Sequence, residues 1–297
     1  MTSRSTIALL GTGLLGSAIA ERLHAAGHTV VAFNRTFAKA LPLQTQGIAV
    51  VSAAELAVSQ ADCALLLLTD AAAIRSMLFT PACSAALKGK TIVQMGTIAP
   101  NESLEIQREV EQQGGAYCEA PVLGSLVEAK AGPLFVMVGG TETQFTTWSS
   151  LFRSLGREPR RIGPVGSATA LKLALNHLIA AETSAFALSL GLVQRSGVAV
   201  ETFMAILRES ALYAPTFDKK LPRLLKRDYH HPNFSTRHLL KDVRLFYQEA
   251  AARGLTTDAL EGLPLLLERA ITQGLGDLDY SALFELVTPP TRGFTLS

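Results

Sequence analysis

Three glycines near the start of the chain have the spacing of a phosphate-binding turn, which reads Gly11, Thr12, Gly13, Leu14, Leu15, Gly16. The first glycine permits a tight turn out of a strand, the second lets the backbone approach a pyrophosphate, and the third lets a helix pack against a sheet. The helix N-terminus presents free N–H groups to the phosphates. Because an apolar run precedes the turn and an alanine-rich helical pattern follows it, we predict a dinucleotide site. The alternative is a glycine-rich turn without a ligand.

Asn34, Arg35 and Thr36 follow the second apolar run, where NAD-binding proteins usually have a carboxylate for the ribose 2′-hydroxyl. A carboxylate would repel a 2′-phosphate, whereas the Arg35 guanidinium forms charge-assisted hydrogen bonds with one. These residues therefore predict that NADP(H) is preferred over NAD(H). The alternative is that Arg35 is an ordinary surface charge.

Lys172 and Asn176 lie four residues apart in an apolar segment, so they share one face of the predicted helix. Reduction of a carbonyl by hydride leaves an alkoxide, and an ammonium group can supply its proton and polarise the carbonyl beforehand. Asn176 can orient a substrate oxygen with groups that do not titrate. The residue types alone favour another interpretation, a lysine that reaches solvent. Lys241 and Asp242 are likewise interpreted as an ion pair on a solvated helix face.

Short apolar runs bounded by Gly, Asn or Asp alternate with helical patterns through the first half of the chain. We predict strands at Thr6–Leu10, Thr29–Phe33, Cys63–Leu68, Thr91–Met95 and Leu134–Val138. Nearly continuous apolarity is typical of strands that are buried on both faces of a parallel sheet. The alternation predicts an α/β fold with a Rossmann-type, doubly wound parallel sheet.

The pattern changes near Gly163-Pro164-Val165-Gly166, after which strand-like runs nearly disappear. Helices are predicted at Ala168–Ser196, Val200–Glu209, Ser235–Arg253, Thr257–Gln273 and Ser281–Val287. We therefore predict a nucleotide-binding domain over residues 1–163, an all-helical domain for substrate binding and oligomerisation over 164–289, and a tail over 290–297.

The composition of the 297 residues excludes several classes of protein. Hydrophobic residues make up 48%, which excludes disorder, and charged residues only 18%, which favours much buried surface. The net charge of +2 gives no electrostatic footprint for nucleic acid or an anionic membrane. The longest hydrophobic stretch, Ala168–Val193, contains Lys172 and Glu182, which are costly in lipid, so a buried helix is expected.

The cysteines and histidines predict neither disulfides nor a metal site. Cys63, Cys83 and Cys118 are odd in number and far apart, as expected for ordinary thiols in a reducing cytosol. The six histidines form no convincing ligand cluster with carboxylates. Since only Met1 to Ser5 precede the first apolar run, no signal peptide fits, and a cytoplasmic location is expected.

Further motifs occur in order along almost the whole chain. They start at Ala25 (AAGHTV), Gly96 (GTIAP), Glu119 (EAPVLGS), Ala131 (AGPL), Met137 (MVGG), Gly163 (GPVG), Phe234 (FSTRHLLKD) and Asp279 (DYSA). Together with the glycine turn, Asn34-Arg35-Thr36, Lys172 and Asn176, they resemble the β-hydroxyacid dehydrogenase family, of the 3-hydroxyisobutyrate dehydrogenase type.

The resemblance implies an NAD(P)-dependent dehydrogenase or reductase that acts on CH–OH groups. It implies that Lys172 is the catalytic acid/base, that Asn176 helps to bind substrate, and that Lys241 lies near the nicotinamide end of the cofactor. It also implies cofactor contacts at Thr97 and in the loop Leu68-Thr69.

The family resemblance also implies a small carboxylate substrate, bound by the motif that contains Leu123, Gly124 and Ser125. The family commonly has a serine where Leu123 stands, and that serine helps to hold the carboxylate. Here the backbone amides of Gly124 and Ser125 and the Ser125 hydroxyl are expected to bind it. The Gly-Ser form is closer to the glyoxylate and succinic semialdehyde reductase branch than to hydroxyisobutyrate dehydrogenases.

We therefore predict an NADPH-dependent reductase of small aldehydes or keto acids, or a dehydrogenase of the matching hydroxy acids. It is expected to be a homodimer or homotetramer, without metal, nucleic-acid or membrane partners. Two alternatives remain. Imine reductases share this architecture but typically lack the catalytic lysine, so Lys172 argues against them. A nucleotide-binding sensor would keep the fold without turnover.

Overall fold

The computed structural model describes residues 5–290 of the chain. The chain divides into two compact units, Met1–Lys172 and Leu173–Ser297, and the division falls inside one long helix. The predicted boundary after residue 163 lies at the turn before this helix and stays a prediction. Apart from Pro290, the predicted tail lies outside the described residues.

The described part of the first unit contains a nine-stranded sheet. Its strands are β1 (Thr6–Leu10), β2 (Thr29–Phe33), β3 (Ala49–Val50), β4 (Cys63–Leu66), β5 (Thr91–Gln94), β6 (Ala116–Glu119), β7 (Val122–Leu123), β8 (Phe135–Gly139) and β9 (Arg160–Gly163). The order is β3-β2-β1-β4-β5-β6-β8-β7, with β9 beside β8. The first six strands in this order, from β3 through β2, β1, β4 and β5 to β6, are parallel to one another. Strand β8 is antiparallel to its neighbours β6 and β7. The predicted doubly wound α/β fold is therefore confirmed, with an antiparallel edge.

Helices cover both faces of this sheet. They are α1 (Leu14–Ala25), α2 (Ala54–Gln60), α3 (Ala71–Leu78), α4 (Pro81–Ala86), α5 (Pro100–Gln112), α6 (Leu126–Ala131), α7 (Glu142–Thr147) and α8 (Ser149–Leu155). Alternate residues of β1 enter different cores, because successive side chains of a strand point to opposite faces. Ile7 and Leu9 pack with residues of α1 and α8, whereas Ala8 and Leu10 pack with residues of α2 to α5.

Four strands were missing from the predicted set, and each is short or carries polar residues. The last residue of β6 is Glu119, and β9 begins with Arg160 and Arg161, so neither strand is an apolar run. Strands β3 and β7 have two residues each. The predicted strand from Cys63 to Leu68 ends at Leu66.

The described part of the second unit is helical, as predicted. Its helices are α9 (Ser167–Arg195, which starts in the first unit), α10 (Val200–Glu209), α11 (Pro215–Lys226), α12 (Thr236–Ala252), α13 (Gly262–Ala270) and α14 (Phe284–Val287). Shorter 3-10 turns cover Asp258–Leu260 and Tyr280–Leu283, and a π-helical turn covers Ile271–Leu275. The core of this unit includes Phe186, Leu190 and Leu239.

Two helix predictions need correction. The predicted helix from Thr257 to Gln273 is interrupted, and α13 begins only at Gly262, two residues before Pro264. A proline inside a helix removes one backbone hydrogen bond and crowds the preceding turn, whereas in the first turn it has no such cost, so a helix that begins just before Pro264 is favoured. Helix α11, which contains Pro222, was not predicted. Among the described residues, α9 is the one helix long and apolar enough to cross a membrane, but core helices of water-soluble proteins meet the same criteria.

Candidate active site

The glycine turn between β1 and α1 has the geometry that a dinucleotide needs. Gly11 has φ +106°, and a Cβ there would lie 2.4 Å from the Leu67 carbonyl oxygen. A Cβ on Gly16 would lie 1.9 Å from the Gly11 carbonyl oxygen, so that glycine lets α1 approach the strand. Gly13 has open space around it, and α1 starts there with neither a capping side chain nor an acidic residue. The turn therefore fits a phosphate-bearing cofactor.

Asn34 connects the loops that follow β1 and β2. Its Oδ1 accepts a hydrogen bond of 3.1 Å from the Thr12 N–H, and its Nδ2 donates one of 2.9 Å to the Thr36 carbonyl. Arg35 is exposed, and residues 5–290 provide no partner for its guanidinium. The two neighbours thus differ, since Asn34 positions the backbone while Arg35 is available to a ligand.

The loops after β4 and β5 lie against each other at the same edge of the sheet. A Cβ on Gly96 would lie 2.5 Å from the Leu68 carbonyl oxygen. Buried Gln94 holds this turn, because it accepts the Gly96 N–H at 2.5 Å and donates to the Gly96 carbonyl at 3.1 Å. The structure therefore brings the loops containing Gly11, Leu68 and Thr97 together where the strand order reverses, as the general rule for α/β sheets requires. Our sequence reasoning missed Gln94, although a polar residue within an apolar strand was a signal.

A buried carboxylate anchors the start of α9, the helix that carries Lys172. Glu119, at the end of β6, is fully buried. Its Oε1 accepts the N–H groups of Gly166, Ala168 and Thr169 at 2.9, 2.8 and 3.1 Å. Its Oε2 accepts the hydroxyls of Ser103 and Thr169 at 2.6 and 3.1 Å. The carboxylate thus accepts hydrogen bonds from N–H groups that a helix start leaves unpaired. Its negative charge also interacts favourably with the positive end of the helix dipole.

The segment Leu123-Gly124-Ser125 differs from the expected carboxylate site. The Ser125 N–H donates to Glu128 Oε2 at 2.8 Å, and the Ser125 hydroxyl donates to the same oxygen. The Ser125 oxygen in turn accepts the Val127 N–H at 3.2 Å. Two of the groups expected to bind a substrate carboxylate are therefore engaged by a carboxylate of the chain itself. Gly124 is exposed and Leu123 is half-buried.

Lys172 and Asn176 occupy successive turns of α9, as the sequence predicted. Lys172 is half-buried, and its role as the catalytic acid stays a prediction. Asn176 is 2% exposed, and its Nδ2 donates to Asp242 Oδ2 at 2.6 Å. The second oxygen of Asp242 is 2.8 Å from Lys241 Nζ.

The interpretation of Lys241 and Asp242 as a pair on a solvated helix face needs correction. The ion pair exists, but Asp242 is only 2% exposed and Lys241 is half-buried. One carboxylate on α12 therefore orients both Lys241 and Asn176. This role could not be predicted from the sequence, because an acidic residue beside a lysine is common on helix surfaces.

His177, the neighbour of Asn176, is held between aromatic rings. Its imidazole stacks on Phe246 with a centroid distance of 4.0 Å and lies edge-on to Tyr247. Its Nδ1 is buried without a hydrogen-bond partner. Burial lowers the pKa of His177, so the ring is neutral near neutral pH.

The described residues contain no group of three or more His, Cys, Asp or Glu side chains that could hold a metal ion. The three cysteines are free and buried. Burial raises the pKa of Cys83 to about 11 and that of Cys118 to about 12, the latter helped by Glu119. Such thiols are poor nucleophiles.

Comparison with known proteins decides the family. Residues 6–166 match the model of the NAD-binding domain of 6-phosphogluconate dehydrogenase. Residues 166–287 match the model described as NAD-binding of NADP-dependent 3-hydroxyisobutyrate dehydrogenase. The probable 3-hydroxyisobutyrate dehydrogenase-like 1 of Arabidopsis thaliana is 30% identical over 287 residues, which cover 95% of this chain and 84% of the relative. The chain belongs to the β-hydroxyacid dehydrogenase family.

Other similarities agree with membership of the β-hydroxyacid dehydrogenase family. Glyoxylate/succinic semialdehyde reductase 1 of Arabidopsis thaliana is 29% identical over 283 residues, which cover 95% of this chain and 98% of the relative. The solved structure of 3-hydroxyisobutyrate dehydrogenase from Mycobacterium tuberculosis superposes on this chain with a TM-score of 0.86 at 24% sequence identity. The superposition covers 96% of this chain and 99% of the solved chain, which shows that the two share a fold. As a β-hydroxyacid dehydrogenase, the chain is an NAD(P)-dependent oxidoreductase that acts on CH–OH groups.

Proposed function

We propose that this family member is an NADPH-dependent reductase of small aldehydes and keto acids, with Lys172 as the general acid. The observation that carries the proposal is the half-buried ammonium group in the second turn of α9, one turn before buried Asn176. The anchoring of this helix by Glu119 supports it, because a catalytic group needs a fixed position.

The proposed chemistry divides between the cofactor and the chain. A bound nicotinamide supplies the hydride to the carbonyl carbon. Lys172 donates a hydrogen bond to the carbonyl oxygen and transfers its proton as negative charge develops there. Asn176 orients the same oxygen, and Asp242 holds the Asn176 amide in place. In the reverse direction, the neutral Lys172 amine accepts the proton of the hydroxy acid.

The proposal includes a preference for NADPH over NADH, which the residues that follow β2 support. Asn34, Arg35 and Thr36 provide no carboxylate there, and Arg35 is exposed. A guanidinium group binds a phosphate through paired, charge-assisted hydrogen bonds. The proposed positions of Thr97, Leu68-Thr69 and Lys241 at the cofactor stay predictions, as does the cytoplasmic location.

Association of copies through α9 is also proposed. Leu178, Ala185 and Leu192 recur every seven residues on this helix. Leu178 is 51% exposed, Leu188 62% and Leu192 68%. An apolar stripe with this period is typical of a helix that pairs with another helix. The expected homodimer or homotetramer would cover it.

Replacement of Lys172 by alanine tests the proposal. We expect kcat to fall about 100- to 10,000-fold, because the proton donor is lost. NADPH affinity should stay within about twofold, since the glycine turn is untouched. The assay follows nicotinamide absorbance with glyoxylate, succinic semialdehyde, methylmalonate semialdehyde, tartronate semialdehyde and a cyclic imine. Near-normal turnover by Lys172→Ala would remove the proposed acid. If wild type reduces only the imine, the result would favour an imine reductase. If it binds NADPH but does not oxidise it with any compound of the panel, the result would favour a nucleotide-binding sensor.

A further inference from the structure

The side chain of Gln94 takes the place of a neighbouring strand for the backbone of Gly96. The hydrogen bonds between β4 and β5 end where the Met95 N–H donates to the Leu66 carbonyl oxygen at 2.9 Å. Gly96 comes next, and its N–H and its carbonyl are both bonded to the Gln94 carboxamide. Gln94 is fully buried. One buried side chain therefore satisfies and fixes both backbone groups of Gly96.

Gly96 also belongs to a set of loops that pack on one another at the carboxyl ends of the strands. A Cβ on Gly11 would lie 2.4 Å from the Leu67 carbonyl oxygen and 3.1 Å from Leu68 Cδ2. A Cβ on Gly96 would lie 2.5 Å from the Leu68 carbonyl oxygen. The glycine turn thus contacts the loop after β4, which in turn contacts the loop after β5. Displacement of Gly96 would leave the glycine turn in place, because the Gly11 N–H stays bonded to the Phe33 carbonyl oxygen.

The segment that leads from β5 into α5 is fixed at its other end as well. The Ala99 N–H donates to Glu102 Oε2 at 2.8 Å, and Ile98 is fully buried. Thr97, the proposed cofactor contact, lies between this end and the part of the loop that the Gln94 carboxamide holds. The position of Thr97 therefore depends on Gln94.

The strand order assigns this segment to one half of a bound dinucleotide. The order reverses between β1 and β4, and a dinucleotide lies across the crevice at such a point, with one half on each side. Arg35, which follows β2, is proposed to bind the 2′-phosphate of the adenosine half. The nicotinamide half then lies at the loops after β4 and β5.

From these contacts we infer that Gln94 is a positioning residue for the nicotinamide half of the cofactor, acting through Gly96 and Thr97. Loss of its carboxamide should weaken binding of the whole dinucleotide. It should not weaken binding of a fragment that carries only the adenosine half. The inference rests on the proposed function, which places Thr97 and the loop Leu68-Thr69 at the cofactor.

Replacement of Gln94 by methionine tests the inference, because methionine has a similar length and cannot bond both backbone groups of Gly96. Isothermal titration calorimetry would measure the affinities of NADPH and of adenosine 2′,5′-bisphosphate for wild type and Gln94→Met. Gln144→Met is the matched control, since the Gln144 carboxamide also bonds one N–H and one carbonyl of the backbone. It accepts from Thr141 at 2.8 Å and donates to Tyr117 at 2.9 Å, outside the proposed cofactor loops.

We expect Gln94→Met to weaken NADPH binding about tenfold or more and to change the affinity for adenosine 2′,5′-bisphosphate by less than about twofold. Gln144→Met should change both affinities by less than about twofold. An unchanged NADPH affinity in Gln94→Met would overturn the inference. Equal losses for both ligands, as in a variant that does not fold, would also overturn it, because Gln94 would then support the first unit as a whole. A selective loss of NADPH affinity in Gln144→Met would do the same.

Turnover separates this inference from the proposed function. If wild type binds NADPH but oxidises it with no compound of the panel, the proposed reductase activity fails. The affinities still decide the role of Gln94, because they need no chemistry. If wild type binds NADH in place of NADPH, the proposed cofactor preference fails, and the same comparison is made with NADH and adenosine 5′-monophosphate.

Discussion

Asn34 and Arg35 show how adjacent polar residues acquire different roles. The Asn34 carboxamide is used inside the protein, where it ties Thr12 to Thr36. The Arg35 side chain is exposed and has no partner among the described residues. Only Arg35 is thus free to bind a phosphate, although either side chain could hydrogen-bond a ribose.

We predict that Arg35→Ala raises the KM for NADPH about 10- to 100-fold, because charge-assisted hydrogen bonds to the 2′-phosphate are lost. The kcat/KM for NADH should change by less than about twofold, since NADH has no 2′-phosphate. Steady-state kinetics with both cofactors checks this. Lys39→Ala, an exposed change of equal charge in the next turn, is the control. An unchanged NADPH/NADH ratio in Arg35→Ala would contradict the assignment.

At the scale of elements, Glu119 joins β6 to the start of α9. Three backbone N–H groups and two hydroxyls converge on one carboxylate that water does not reach. Buried polar groups that lose their partners are costly, so this junction depends on a single side chain.

We predict that Glu119→Ala lowers the free energy of unfolding by more than about 3 kcal/mol, because three buried N–H groups lose their acceptor. Glu119→Gln should lose only about 1 kcal/mol, since its amide oxygen still accepts those N–H groups and the hydroxyls can turn to accept from its NH₂ group. Urea unfolding curves would measure both changes. Similar losses in the two variants would show that the network of acceptors is not what holds the junction.

A second element-scale feature is the contact of α9 with α12 through His177 and Phe246. Burial lowers the pKa of His177 below its usual value of 6.5. As the pH falls through 6.5, the unfolded chain therefore binds a proton that the folded chain does not, and the free energy of unfolding decreases. Burial also lowers the pKa values of His28 and His238, which act in the same direction.

We predict that His177→Phe keeps the stack and removes part of this acid sensitivity. The loss of Tm between about pH 7.5 and pH 5.5 should shrink by about 1–3 °C, and Tm at pH 7.5 should not fall, because an unpartnered buried nitrogen is removed. Differential scanning fluorimetry at the two pH values checks it. The same loss of Tm in variant and wild type would show that His177 does not titrate as described.

At the scale of the whole molecule, the apolar stripe on α9 bears on the number of chains in the assembly. We predict that wild type has a mass in light scattering that is a multiple of 31.6 kDa at micromolar concentration. Leu188→Glu combined with Leu192→Glu should shift it toward 31.6 kDa, because two charges would be buried in a helix pairing. Leu255→Glu, an exposed change outside α9, is the control. A monomeric wild type would contradict the proposed association.

Features with a local cause were available from residue order alone. The glycine turn could be predicted because the positions that require glycine all lie within one strand, the turn after it and the helix that follows. Lys172 and Asn176 could be placed on one face because helix geometry fixes residues four apart. The Ser125–Glu128 contact was equally local, since serine followed three residues later by glutamate is a capping signal, but it was not recognised.

Features with distant partners depended on how the chain folds. Glu119 lies 47 residues from the Gly166 N–H that it accepts, and Asn176 lies 66 residues from Asp242. The residue types do not predict these pairings, because the order of the strands and the packing of α12 on α9 bring the partners together. Glu119 and Asp242 act as positioning groups because both are buried in the folded protein. A buried carboxylate must bind hydrogen-bond donors of the protein instead of water, and the fold decides which donors lie within reach.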